Sequence, residues 1–250
     1  MPRVDAAPGL VHTRSMAAHA IANHLPTVVF DLDGTLADTA ADLIGTLNVI
    51  LEREQAPTIA VDRARDVVGA GARAMIQRGL ALDGRSVSEE RLGALFRDFL
   101  DHYGENLAIR TRLFPGAEAA LNRLAQAGYR LAVCTNKVEV HSVQLLQALG
   151  VAPMFGAICG RDSFPFTKPD PRHLTGTIER AGGDPRHAIM VGDSRTDIDT
   201  ARNAGLPVIG VTFGYTDVPV QDLGPDVVIE HFDALVEAVA ALSPRRAAVA

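Results

Sequence analysis

The chain is short of several things, and each shortage closes a route. Two cysteines, Cys134 and Cys159, occur in 250 residues. That is too few for a disulfide framework. Both lie in apolar runs, where a thiol acts as a small hydrophobe, which fits a reducing cytoplasm. No segment approaches the roughly 20 consecutive apolar residues of a membrane helix, so no membrane partner is expected. No Lys/Arg-rich run occurs and the formal net charge is −6. This argues against nucleic acid, whose phosphate backbone calls for a basic stripe. A small anionic substrate stays open, because local charge in a cleft can oppose the net sign. His141, His173 and His187 are scattered without metal-ligand spacing and receive no role. The stretch 1–25 holds arginines, histidines, prolines and Asp5 with no continuous apolar region, so it does not read as a secretory signal. It is expected to be a flexible N-terminal extension, with Met16 an alternative start.

What is present is a chain with 47% apolar residues, enough to bury one sizeable core or two small ones. Val28-Val29-Phe30 reads as a buried strand. From Asp38 to about residue 110 the pattern is helical with no convincing strand. Asp38-Thr39 can cap a helix whose Leu43, Ile44, Leu47, Ile50 and Leu51 recur at threes and fours. A second run over 88–107 places Leu92, Leu95, Phe96, Phe99 and Leu100 on one face. Beyond Pro115 helices and strands alternate. Helices are expected near 115–127, 138–149, 171–181 and 196–204, and strands at 129–134, 157–159, 188–191, 208–211 and 227–229. Alternation of this kind implies parallel strands joined by right-handed crossovers. The expected fold is therefore α/β, a Rossmann-like doubly wound parallel sheet formed by 26–37 and 111–250, with 38–110 inserted after the first strand as a helical cap. The Ala-rich C-terminal end is expected to fray.

In such sheets ligands bind beyond the carboxyl ends of the strands. The residues there are Asp31 and Asp33 after the first strand, Thr135, Asn136 and Lys137 after the second, Lys168 after the third, and Asp193 with Asp197 after the fourth. Asp31 and Asp33 are two apart on an extended chain and point the same way. Two carboxylates about 4 Å apart repel by about 4 kcal/mol at an effective dielectric of 20. One must take a proton or a cation must sit between them, and a cluster of hard oxygens with room for water and phosphate suits Mg²⁺. Acids, a hydroxyl and a lysine around a metal form a phosphoryl-transfer site. There Asp31 would be nucleophile and Asp33 the acid/base. Each segment alone has a plainer reading: a tight turn for Asp33-Gly34, a strand end for Thr135, a helix cap for Asp193, a surface loop for Lys168. Asn136 and Lys137 divide evenly between the site and the start of the next helix. Gly69-Ala70-Gly71 lacks the lysine of a P-loop and reads as a helix-entry turn.

Taken in order, DLDGT (Asp31–Thr35), TNK (Thr135–Lys137), KPDP (Lys168–Pro171) and GDSRTD (Gly192–Asp197) resemble the four motifs of the haloacid dehalogenase (HAD) superfamily, across about Val28 to Ile229. The resemblance implies Asp31 as nucleophile, Asp33 as acid/base, Thr135 and Lys168 as partners of the phosphate oxygens, Asp31, Asp33 and Asp193 around Mg²⁺, and Asp197 supporting the metal site. TNK, the VGAGARAMIQRGL stretch and Phe213-Gly214-Tyr215 point within the superfamily to a phosphatase of a small phosphorylated acid, 2-phosphoglycolate first. Asn136 and Arg73 are the candidate readers of the rest of that substrate. A phosphatase for a sugar phosphate or pyrophosphate, or a phosphomutase, is the alternative. From another class, a phospho-acceptor receiver module shares the acids, Thr and Lys but has no counterpart of Asp33 or of the insertion. Monomer and homodimer both remain open.

Overall fold

The computed structural model describes residues 27–69 and 71–243; the N-terminal extension 1–25 and the Ala-rich C-terminal end expected from the sequence lie outside them. The first strand, β1 (Thr27–Phe30), is buried at every position. After the turn at Asp31–Leu36 comes a two-residue strand, β2 (Ala37–Asp38). Three helices follow: α1 (Ala40–Arg53), α2 (Ala72–Ala81) and α3 (Glu89–Glu105). The chain returns through β3 (Arg112–Leu113), α4 (Ala117–Gln126), β4 (Arg130–Cys134), α5 (Glu139–Ala148) and β5 (Ala157–Cys159). It continues through α6 (Pro171–Arg180), β6 (Ala188–Gly192), α7 (Arg195–Asn203), β7 (Val208–Val211), β8 (Val227–Ile229) and α8 (Leu235–Leu242).

Six strands form one sheet in the order β5-β4-β1-β6-β7-β8, every pair parallel. Short Val/Ile runs suit strands covered on both faces. Side chains alternate between two cores. Val28 and Phe30, with Leu131, Val133, Ile189 and Val191, face Leu121 and Leu124 of α4, Leu145 of α5 and Val239 of α8. Val29, Ala132 and Met190 face Leu174 and Ile178 of α6 and Ile198 of α7. Cys134 and Cys159 are register partners across β4 and β5, both buried and unbonded. Among the described residues no helix is long and apolar enough to cross a membrane.

The helical block has its own apolar cluster, in which Leu47 and Leu51 of α1, Ile76 and Leu80 of α2, and Leu95 and Phe99 of α3 pack together. The periodicity of α1 and α3 is the reason: both present a leucine-rich stripe that has to be covered. Two details differ from the sequence reading. Asp38 belongs to a strand, since Ala37 and Asp38 pair antiparallel with Leu113 and Arg112 where the chain leaves and re-enters the sheet domain. Two residues are too few for alternation to show. Thr39 is the residue before α1 but makes no side-chain cap. Instead the buried Asp42 ties the returning strand to α1, accepting from Thr111 N–H at 2.9 Å, Thr111 Oγ1 at 2.7 Å and Arg110 N–H at 3.0 Å.

Candidate active site

Because β1 lies between β4 and β6, the turns after these strands converge. Asp31 sits at the end of β1, and Lys168, from the loop after β5, reaches it with its ammonium 3.0 Å from Asp31 Oδ1 and 2.6 Å from Asp197 Oδ1. The Lys168 side chain is 1% exposed and that of Asp197 fully buried, so the charges require one another. Burial disfavours the ammonium, but Asp197 and Asp31 outweigh it and raise the Lys168 pKa. The loop itself is fixed from two sides. Asn136 Nδ2 donates to the Lys168 carbonyl at 3.1 Å, and Lys168 N–H donates to His173 Nδ1 at 3.2 Å. His173 Nε2 lies 3.0 Å from the Gly160 carbonyl. Those two bonds need a neutral ring protonated on Nε2, and burial, then the Lys168 charge, push the His173 pKa down to about 4.

Asp193 lies on the turn ahead of α7, which begins at Arg195. Its Oδ1 accepts from Thr35 Oγ1 and its Oδ2 from Tyr215 N–H, each at 2.8 Å. Asp197, in the first turn of α7, accepts the Ser194 N–H on Oδ2 at 3.1 Å, the backbone bond of a capping box, and the Ser194 hydroxyl on the same oxygen at 2.7 Å. The approach of backbone to Asp193 demands glycine. Gly34 adopts φ +83, and a Cβ there would stand 2.7 Å from Asp193 Oδ2; one on Gly214 would stand 2.2 Å from Asp193 Cβ.

One oxygen each from Asp31, Asp193 and Asp197 lies within 4.8 Å of the others. Burial first, then Asp197 and Asp31, raise the Asp193 pKa to about 8. Burial also raises that of Asp31, to about 6, against the pull of Lys168 and with help from Asp197 and Asp33. Asp31 Oδ1 is buried without a hydrogen bond, the neighbouring ammonium being an ion pair out of donor alignment. Three carboxylates, Asp193 and Asp197 buried and Asp31 partly so, with one ammonium paired to two of them, offer only hard oxygens and fit a divalent cation of the oxygen-loving kind. The Asp33 carboxylate stands outside this trio. It faces Lys137, whose Nζ lies 3.0 Å from Oδ1 and 3.2 Å from Oδ2, while the same ammonium sits 4.2 Å over the Tyr103 ring of α3.

The site opens into a cavity holding about 610 Å³ of empty space, part of it open to solvent. Asp31, Asp33, Thr135, Asn136 and Lys168 all line it. Thr135 is nearly buried, its Oγ1 accepting from Lys137 N–H at 3.3 Å. The opposite wall is apolar, formed by Leu43, Met75, Phe96 and Phe99 of the helical block. Arg73 is not in that wall; it pairs with Glu89 on the surface. Sequence reasoning passed over Arg161, which lines the cavity, and gave His173 no role although it holds the lysine loop. It also missed the phenol of Tyr215, which donates to Asp38 Oδ1 at 2.5 Å and accepts from Ala40 N–H at 3.0 Å, linking the Asp193 turn to the start of the helical block. The only sequence signal for Arg161 is its place after a strand end.

Residues 28–211 match the sequence model of the haloacid dehalogenase-like hydrolases, helical insertion included, and the chain belongs to that family. Within it the chain is most like phosphoglycolate phosphatases. It is 52% identical over 212 residues to the phosphoglycolate phosphatase of Mesorhizobium japonicum, covering 84% of this chain and 92% of that one. It is 50% identical over 214 residues to that of Agrobacterium fabrum, covering 86% and 92%. The crystal structure of a predicted phosphoglycolate phosphatase from Haemophilus somnus superposes with a TM-score of 0.79 at 32% identity, over 86% of this chain and 97% of that one.

Proposed function

We propose that this enzyme, a phosphoric monoester hydrolase like its relatives, dephosphorylates 2-phosphoglycolate to glycolate through an aspartyl-phosphate, with Mg²⁺ held by Asp31 and Asp193 and supported by Asp197. The observation that carries the reading is Asp31 at the mouth of the cavity, shared between Lys168 and the Asp193–Asp197 pair. Mg²⁺ bound there would offset the crowded carboxylates and draw charge from the phosphoryl oxygens. Asp31 attacks phosphorus in line, and the bond to the ester oxygen breaks. Lys168 and Thr135 meet the charge that spreads over the equatorial oxygens. Asp33, once free of Lys137 and carrying a proton taken from solvent, gives it to the departing alkoxide and then takes one back from the water that attacks the acyl phosphate, which frees Asp31 and phosphate. Asp33 is tied to Lys137 before this happens. An arriving phosphate, more highly charged than a carboxylate, competes for that ammonium and releases Asp33 for proton transfer. The apolar wall of the helical block excludes water from the intermediate. Two buried, unbonded cysteines support a cytoplasmic setting.

The test is phosphate release with and without Mg²⁺ across phosphorylated metabolites, with Asp31→Asn alongside. The expected result is Mg²⁺-dependent turnover, highest in kcat/KM for 2-phosphoglycolate and abolished in the variant while its circular dichroism is unchanged. Equal activity on sugar phosphates would discard the substrate, and near-normal kcat in Asp31→Asn would discard the nucleophile.

A further inference from the structure

Resting on the phosphoglycolate reading, we propose that Arg161 selects the substrate by gripping its carboxylate, at the seam between the sheet domain and α2. Three cations line the cavity. Lys168 is paired with Asp31 and Asp197, and Lys137 with Asp33, so both ammonium groups stand at the phosphoryl end. Arg161 has no carboxylate partner among the described residues. Its neighbour Asp162 is turned away and accepts the Glu139 N–H at 2.7 Å. The Arg161 guanidinium instead lies 5.6 Å over the Phe96 ring of α3, and its Nη1 comes within 3.7 Å of where a Cβ on Gly71 would stand.

Three observations aim this group at an anion. First, its guanidinium lies over the Phe96 ring in a cavity that Val68, Met75 and Leu100 also line, and a guanidinium against apolar surface gains most from a charged acceptor that takes two of its hydrogen bonds. Second, its position is fixed by the site itself, because Arg161 N–H donates to the Lys137 carbonyl at 2.9 Å. With the phosphoryl end held by Asp31 and Lys168, the other end of a small substrate must lie in the remaining cavity, which Arg161 borders. Third, α2 starts beside it at Gly71 with no side-chain cap and no acid in its first turn, so the N–H groups there add donors to the arginine. The cavity thus offers two separate anion holders: lysine, with the metal that the acidic trio would hold, for the phosphate, and arginine for the carboxylate.

Steady-state kinetics of wild type, Arg161→Gln and Arg161→Lys on 2-phosphoglycolate and on ethyl phosphate, which lacks the carboxylate, test this. In Arg161→Gln, KM for 2-phosphoglycolate is expected to rise about tenfold to a hundredfold more than KM for ethyl phosphate, with kcat on 2-phosphoglycolate changing far less than KM. Arg161→Lys should keep part of the preference, since an ammonium supplies charge without the planar fork. Equal fold-changes on the two substrates would overturn the role of Arg161 and leave the phosphoglycolate reading standing. A wild type that does not prefer 2-phosphoglycolate over ethyl phosphate would overturn both.

Discussion

On the sheet side of the cavity, Asp31, Asp193, Asp197 and Lys168 are locked by partners from four segments of the chain, and glycines clear the space they occupy. On the helical side, Leu43, Met75, Phe96 and Phe99 present carbon and little else. The charged wall rests on a buried sheet whose strand ends hold each carboxylate in place. The apolar wall rests on helices whose own cluster packs without reference to the chemistry. A reaction that moves charge needs donors fixed before it begins. Excluding water needs only shape, so the shape of one wall can change while the other stays as it is.

The largest break in this contrast comes from removing the shared lysine. Lys168→Ala should lower kcat about 10²- to 10³-fold, the loss typical of an electrostatic donor. It should also lower the melting temperature, because Asp197 keeps a buried charge without its partner; unchanged kcat would place the transition-state contact elsewhere. A subtler effect comes from pH. Asp31 and Asp193 are raised by burial to about 6 and about 8, so between the ordinary carboxylate range and pH 8 the folded state binds more protons than the unfolded one. Stability in EDTA should therefore be full below pH 4 as far as these groups are concerned and fall by a few kcal/mol as pH rises to 8. Millimolar Mg²⁺ should flatten that slope in thermal melts, and an equally steep slope with the cation present would separate the cluster from metal binding. The smallest effect belongs to the helical side. Arg73 is 35% exposed and its partner Glu89 79%, a pair worth about 0–1 kcal/mol. Arg73→Ala should change KM for 2-phosphoglycolate less than about twofold, and a tenfold rise would bring that residue into recognition.

Much of the fold and the site is legible in the sequence. Runs such as Val28-Val29-Phe30 and Ala188-Ile189-Met190-Val191 declare buried parallel strands, and the residues directly after each run have to stand at the sheet edge. Asp31, Thr135 and Asp193 are found by that rule, while Lys168, nine residues past β5, is found through its KPDP motif. Local pattern fails where partners are remote. Tyr215 donates to Asp38 across most of the chain, and no spacing announces it. His173 looks like an ordinary helix residue because its bond to the Lys168 backbone exists only when the loop folds back. Arg73 and Arg161 are alike as letters. One ends beside Glu89 and the other borders the cavity, and only packing distinguishes them.

The position of β1 bears on how the molecule comes into being. Among the described strands it is the first to leave the ribosome, yet its two neighbours are β4 and β6, whose residues Leu131 and Ile189 both pair with Val28. A nascent chain carries Asp31 before any of its partners exist. The lysine arrives with Lys168, the other acids with Asp193 and Asp197, and the amide that steadies Asp193 with Tyr215. Any chain stopped short of that tyrosine lacks the amide that steadies Asp193, so the full arrangement forms only once Tyr215 has been made.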